Sequence, residues 1–366
     1  MSSTLVSDKP KVVDVRKGSP NSRLERVEFE ARFLSQFADP QFSGLAQELR
    51  AIAATAWNAY DTGRKAPCTR KAGQDFADPD YDLAVDWSEA RNTIRAAEQK
   101  YLGQSCPRIL LINGSPRNEH TCPGEISKSL RLLDLAREEL GSSDVEVDVL
   151  DLSRVTSEYG RKIHPCKGCF STAAPLCHWP CSCYPNYSLG QTQDWMNAIY
   201  PMWVAARGVM IVTPVHWFQA TSPLKLMMDR MVCADGGNPD PTRTQGKSAA
   251  LAKQIELDGW RYEQHLKGRL FSVVVHGDVE GTESVRRSIA DWLRAIGLQS
   301  AGAAGELDRL IGYWQPYATS HAELDLDTAV QGEVRNAART LLRAVLAQRQ
   351  GLMVDAGAEL DAPRQK

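Results

Sequence analysis

The chain has 366 residues, 43% of them hydrophobic, enough for one sizeable core and a smaller appendage. Charged residues make up 24% and the formal net charge is -2, so neither nucleic acid nor an anionic membrane is indicated as a partner. No apolar run reaches the length of a bilayer span, and the opening MSSTLVSDKPKVVDVRKGSP lacks an apolar signal core, which points to the cytoplasm rather than to secretion.

Residues 1 to about 20 are polar and are expected to be disordered. Two helical patterns follow. Leu24, Val27, Ala31 and Leu34 share one face; Leu45, Leu49, Ile52 and Ala56 share another. Such faces need cover from the rest of the chain or from a second subunit. Residues 63–80 mix charge with Pro and Gly and read as loop, and a third helix is predicted over 87–101. No strand pattern precedes Pro107, so residues 1–105 are expected to form a helical N-terminal extension.

From Arg108 the texture changes. RILLIN is a short apolar strand that runs into GSPR, and a helix follows with Ile126, Leu130, Leu133 and Leu140 on one face and Pro123 suited to its first turn. Val145, Val147 and Val149 alternate with acids as a second strand. After a cysteine-rich loop, Trp195, Ile199, Met202 and Ala206 line a helix, and VMIVT is a buried-type strand leading into PVHWFQ and the helical TSPLKLMMDRM. A long insertion precedes the strand LFSVVVHGD and a helix carrying Val285, Ile289, Trp292 and Ile296. A weak strand near 298–303 and a helix over 328–348 complete the series. This alternation predicts one five-stranded parallel sheet with helices on both faces over residues 106–350, with 351–366 as a flexible tail.

Two loops carry chemistry. Residues 114–125, GSPRNEHTCPGE, join a strand to a helix, where backbone N–H groups and the helix dipole favour a phosphate. Gly114 permits the sharp exit, Ser115 and Thr121 offer hydroxyls, and Arg117 offers a charge. The alternative is an ordinary turn capped by Thr121. The second loop, PVHWFQ, follows a strand and sits where ligands bind in open parallel sheets, beyond the carboxyl ends of the strands. Its alternative reading makes Trp217 and Phe218 plain core residues at a strand end.

GSPR with its phosphate-type loop, followed about a hundred residues later by PVHWFQATSPLKLMMDR, resembles the NAD(P)H-dependent FMN reductase family of flavodoxin-like proteins. The usual strings there are close to GSPRxxGNT and PVYWxxxxxxLKxxxDR, and the resemblance covers residues 107–348. It implies a flavodoxin-like domain that binds FMN and uses NAD(P)H as a transient co-substrate. The implied electron acceptor is small: a quinone, an azo or nitro compound, a flavin or a metal ion. It also implies a homodimer or homotetramer. Carried over residue by residue, Ser115, Arg117, Thr121 and Cys122 hold the FMN phosphate. Pro214, Val215, His216, Trp217 and Phe218 line the flavin, and Gly277 and Asp278 approach its ring. Lys225, Asp229 and Arg230 orient their helix. The sequence departs from the pattern where Gly-Asn-Thr becomes His120, Thr121 and Cys122, and where Tyr becomes His216, an ionisable group.

Five of the nine cysteines, Cys166, Cys169, Cys177, Cys181 and Cys183, crowd into eighteen residues with His164 and His178 beside them. The opening PCKGC resembles the cysteine motif of iron–sulfur flavoproteins, close to C-x2-C-x2-C-x5-C, but here Thr172 stands at the third position and the later spacing differs. The donor set permits a [4Fe–4S] cluster or zinc, and equally reduced thiols without metal. No G-x-G-x-x-G follows a strand, so NAD(P)H has no dedicated nucleotide fold. An iron–sulfur electron carrier with no small substrate of its own is the alternative to an enzyme. The chain's length and near-neutral charge favour the enzyme.

Overall fold

A computed structural model of the chain describes residues 15–16, 18, 23–103, 106–141, 143–261 and 263–352. The stretch read as disordered lies almost wholly outside the described residues, as does the tail from 353. In chain order the elements are α1 (Arg26–Leu34), α2 (Ala46–Thr62), β1 (Thr69–Lys71), β2 (Asp82–Ala84), α3 (Val85–Gly103), β3 (Arg108–Asn113), α4 (Lys128–Leu140) and β4 (Glu146–Asp151). Two short turns, α5 (Arg154–Ser157) and α6 (Cys169–Thr172), precede α7 (Met196–Ala205), β5 (Gly208–Pro214), α8 (Ser222–Arg230) and α9 (Ala249–Leu257). The series closes with β6 (Leu270–Gly277), α10 (Thr282–Ala295), β7 (Gln299–Ser300), β8 (Glu306–Leu310), α11 (Tyr317–Leu326) and α12 (Thr328–Arg349).

These elements form two compact units that interleave along the sequence. One holds Met1–Asn92, Cys166–Asp194 and Gly236–Tyr262; the other holds Thr93–Pro165, Trp195–Asp235 and Glu263–Lys366. Their boundary is drawn by packing, so it does not follow the linear division at residue 105.

The larger unit is built on a parallel sheet of order β4-β3-β5-β6-β7, with β8 also on β6. It is flavodoxin-like, with six strands rather than the five expected. β7 pairs with Leu270 and Phe271, and β8 takes the same edge of β6 further along, from Val273 to Gly277. One strand position is therefore filled in two pieces. Between them Gly302 takes φ +136° and a 3-10 turn covers Ala303–Gly305, which breaks what reads as a single weak strand. Every residue of β6 is buried, which is why the run carries no polar alternation. Helices flank the sheet: α4 packs against α12, and Trp203 of α7 meets Trp292 of α10 with ring centroids 5.9 Å apart.

Helix α4 begins later than its apolar pattern suggests. Ser127 caps it, its Oγ accepting from Leu130 N at 3.2 Å, so Pro123 lies upstream in the loop and not in the first turn. The buried face is Ser129, Leu132, Leu133, Ala136 and Leu140, while Ile126 is exposed.

The smaller unit corrects two expectations. Residues 63–80 are not all loop, because β1 pairs antiparallel with β2, Thr69 opposite Ala84. Helices α1 and α2 do meet, but through an aromatic seam: Phe29 lies 5.5 Å from Trp57 and 4.7 Å from Tyr60. Val27, Leu45 and Ile52, on faces read as needing cover from the rest of the chain or from a second subunit, are exposed. The cysteine loop packs on the insertion through the buried Asn238, whose N–H donates to Cys177 O at 2.6 Å and whose Nδ2 donates to Pro175 O at 3.0 Å.

His276, on β6, is buried with Nε2 2.7 Å from Ser129 Oγ. Burial first, then Lys128, His216 and His321, hold its pKa at about 3. An unfolded histidine titrates near ~6.5, so between those values the unfolded state binds the extra proton. Stability is full above the unfolded value and falls as pH drops from there towards the folded one, by about 1.4 kcal/mol per pH unit for one such group. Denaturant unfolding from pH 7 to pH 4 is expected to show this slope, and His276→Asn to remove part of it. Equal slopes in both proteins would contradict the assignment.

Candidate functional site

The carboxyl ends of β3, β5 and β6 gather the loops singled out in the sequence. Gly114 leaves β3 against β5: its N–H donates to Val212 O at 2.8 Å, and a Cβ there would lie 2.7 Å from Thr213 Cβ. Only glycine fits so close an approach. Thr221 caps α8 and also donates its hydroxyl to Gly114 O, which ties the GSPR and PVHWFQ loops together.

Within the first loop most polar groups satisfy one another. Ser115 Oγ accepts from Arg117 N at 3.1 Å; Asn118 Oδ1 accepts from His120 N at 2.9 Å; Thr121 Oγ1 accepts from Asn118 N at 3.1 Å and donates to Asn118 O at 2.8 Å. Asn118, not singled out in the sequence, is buried and donates through Nδ2 to Ser153 Oγ at 2.7 Å and Ser157 Oγ at 2.8 Å. Thr121 therefore neither caps α4 nor leaves its hydroxyl proton free, and Cys122 is exposed. Arg117 is the exception. Its Nε and Nη2 are buried and have no hydrogen-bond partner. A guanidinium whose buried donors go unmet is costly, and an anion is the group that relieves it.

The second loop is a tight turn. His216 N and Gln219 O pair at 3.0 Å, and Gln219 N and His216 O at 2.9 Å. Trp217 (φ 48°) and Phe218 (φ 62°) occupy its two central positions in the left-handed region. They are not core residues: Trp217 is 94% exposed and Phe218 59%. Phe218 lies on Gly281, where a Cβ would come within 2.9 Å of its ring. Val215 is buried and its N–H donates to His276 O at 2.9 Å, holding the turn on β6. Gly277 ends β6 where a Cβ would meet Val279 O at 2.9 Å, and Asp278 follows it, exposed.

Charge converges here. Burial lowers the pKa of His216, Arg117 lowers it further, and Asp278 opposes them. Burial likewise lowers that of Lys128, with Asp278 raising it and Arg117 lowering it. Lys128, at the start of α4, sends Nζ to Ile311 O at 3.3 Å. It was missed in the sequence; its signal is a cation directly after a helix cap. Beyond β8, Trp314 is 82% exposed at φ 61°, 5.0 Å from the Tyr313 ring, and Tyr317 hydrogen-bonds Glu125. No motif marks these three. On α8, Lys225 pairs with Asp229, and the buried Arg230 donates to His164 O at 3.1 Å.

A model of the NADPH-dependent FMN reductase family matches residues 107–304, more than half of the sequence. The chain belongs to that family. Its members are FMN-dependent NAD(P)H oxidoreductases. A comparison with curated proteins found no match. Among solved structures, RosB with a bound flavin intermediate is 12% identical, covers 71% of this chain and 92% of that chain, and has a TM-score of 0.45. An NADH:FMN oxidoreductase, EMOB, in its apo form is 15% identical over 66% and 89%, at 0.36, and azoreductase AzrA is 12% identical over 63% and 98%, at 0.36. Likeness this low carries no argument.

In the smaller unit, Cys169 and Cys183 place their Sγ atoms 3.6 Å apart, and Cys177 is buried. His178 is no ligand here: Nδ1 bonds Ser182 Oγ at 2.5 Å and Nε2 bonds Thr244 Oγ1 at 3.0 Å. Among the described residues no three His, Cys, Asp or Glu side chains are placed to hold a metal. No described helix is long and apolar enough to cross a membrane.

Type I′ turns favour Asn-Gly, and each non-glycine residue held in the left-handed region costs on the order of 1 kcal/mol. Trp217→Asn with Phe218→Gly is therefore expected to raise unfolding stability by about 1 kcal/mol and to lower NADPH oxidation. Unchanged stability together with unchanged activity would show that neither strain nor function resides in this turn.

Proposed function

We propose that this member of the family binds FMN at the carboxyl edge of its sheet and passes electrons from NAD(P)H to a small aromatic acceptor. The observation that carries the reading is Arg117, whose unpartnered Nε and Nη2 sit in the loop that leaves β3. Its charge and that of Lys128 suit a terminal phosphate monoester, and Ser115, Thr121 and Cys122 complete the loop around it. Pro214, Val215, His216, Trp217 and Phe218 form one wall of the flavin seat, and Gly277 and Asp278 the facing edge. When bound, FMN supplies hydride acceptance from the nicotinamide and return of the electrons singly or in pairs.

The chain's own part is to bind and to orient. Thr221 holds the two loops in register through Gly114 O. The exposed rings of Trp217 and Phe218 offer a stacking face, which supports a quinone, an azo or nitro aromatic or a flavin over a metal ion as acceptor. His216, with its pKa lowered, is neutral near pH 7 and suited to donate or accept one hydrogen bond. We also propose a homodimer or homotetramer, a reading supported by the exposed Val27, Leu45 and Ile52, and a reducing cytoplasm, which suits free thiols. Both nitrogens of His178 are engaged by hydroxyls, so the described geometry gives His178 no part in an iron–sulfur or zinc site.

Heat-released cofactor from the purified protein, separated by chromatography, is expected to be FMN, and the holoprotein to oxidise NAD(P)H with a quinone or azo dye as acceptor. Recovery of FAD alone, or FMN without any such turnover, would contradict the reading.

A further inference from the structure

The family match ends at residue 304, and the chain that follows β8 returns to the loop that leaves β3. Ile311 and Leu324 are buried in one core cluster with Leu132 and Leu133 of α4. Lys128 Nζ donates to Ile311 O at 3.3 Å, and Arg131 pairs with Asp325 at 3.2 Å. Between these anchors Tyr317 and His321 stand four residues apart on α11, so they share a face. Both reach Glu125, the last residue of GSPRNEHTCPGE. The Tyr317 hydroxyl donates to the Glu125 carboxylate, and His321 Nε2 lies 4.0 Å from it. Arg117 acts on the same tyrosine hydroxyl: the bond to Glu125 raises the Tyr317 pKa and Arg117 opposes it. One phenol is therefore shared by an acid of the loop and by the guanidinium whose other donors are unmet.

We propose that Tyr317 is a ligand of the cofactor phosphate whose hydroxyl Glu125 holds in the free protein and yields when the phosphate binds. This rests on the reading of the Arg117 loop as the FMN phosphate site. A phenol has one proton to donate, and a carboxylate and a phosphate oxygen compete for it. An anion seated on Arg117 lies beside Tyr317 and so takes the hydroxyl at the expense of Glu125. The carboxylate works against binding twice, by competing for that proton and by repelling a second negative charge. His321 is the neighbour placed to receive the released carboxylate, while Arg117 and Lys128 stay with the phosphate. Riboflavin, which has no phosphate, meets none of these groups. The contact between α11 and the loop thus sets how strongly the site prefers a phosphorylated flavin.

The test titrates full-length, cofactor-free protein with FMN and with riboflavin, following flavin fluorescence. Tyr317→Phe is expected to weaken FMN about tenfold, the order of one charge-assisted hydrogen bond, and to leave riboflavin unchanged. Glu125→Gln is expected to tighten FMN about fivefold at low salt and by less at high salt, again with riboflavin unchanged. In the Tyr317→Phe background the gain from Glu125→Gln should shrink, because no hydroxyl is left to release. His321→Gln should weaken FMN about threefold in the wild type and have no effect beside Glu125→Gln. Equal losses for both ligands in Tyr317→Phe would make the residue a support of the fold and overturn the proposal. So would FMN affinity untouched by Tyr317→Phe, or lowered by Glu125→Gln. Arg117→Ala separates the two readings. If it abolishes the preference for FMN while Tyr317→Phe and Glu125→Gln leave that preference intact, this proposal alone fails. If Arg117→Ala also leaves it intact, the phosphate site is elsewhere and the proposal falls with it.

Discussion

The hydrogen bond from Thr221 to the carbonyl of Gly114 holds the working edge of the larger unit together. A parallel sheet ends in a row of independent loops, and nothing in the ladder itself fixes one loop against the next. Here the cap of α8 does so. One side chain terminates a helix, accepting from Leu224 N, and pins the loop that leaves β3. The approach is so close that Gly114 has no room for a Cβ against Thr213. Everything placed on either loop inherits that register: Ser115 and Arg117 on one side, Val215 to Phe218 on the other.

Electrostatics then distinguishes this edge from an ordinary strand–helix corner. The first loop spends most of its main-chain donors on its own side chains, with Asn118 as the hub. What it leaves unspent is charge: the buried guanidinium edge of Arg117 and, nearby, the ammonium of Lys128, whose pKa burial draws down. The free protein thus carries an unmet cost, of the kind that an anion would offset. Trp217 and Phe218 add local strain at the same edge, two exposed rings held in the left-handed region.

How far the sequence discloses this depends on range. Periodicity places β3, β5, β6 and α12 closely, because each buries one continuous face or run. GSPR and PVHWFQ mark the two loops, and the alternation of strand and helix predicts the parallel sheet covered on both faces. Features that depend on contacts distant in sequence are silent. The α1–α2 seam is aromatic, Phe29 on Trp57 and Tyr60, while the leucine pattern points elsewhere. Three-residue strands such as β1 and β2 are too short to show a period. The β7–β8 break turns on Gly302. Trp217, large and apolar, admits a core reading beside the flavin-lining one, and the structure shows that it faces solvent. Lys128 and Asn118 carry no motif at all; their importance comes from what surrounds them.

Titration of the cofactor-free protein with FMN and with riboflavin, which lacks the phosphate, tests the central role given to Arg117 most directly. Wild-type protein is expected to bind FMN at least about a hundredfold more tightly than riboflavin, the order of one or two charge-assisted contacts. Arg117→Ala is expected to remove most of that preference by weakening FMN alone. Equal affinity for the two ligands in the wild type, or a preference untouched by the substitution, would contradict the assignment of this loop as the phosphate site.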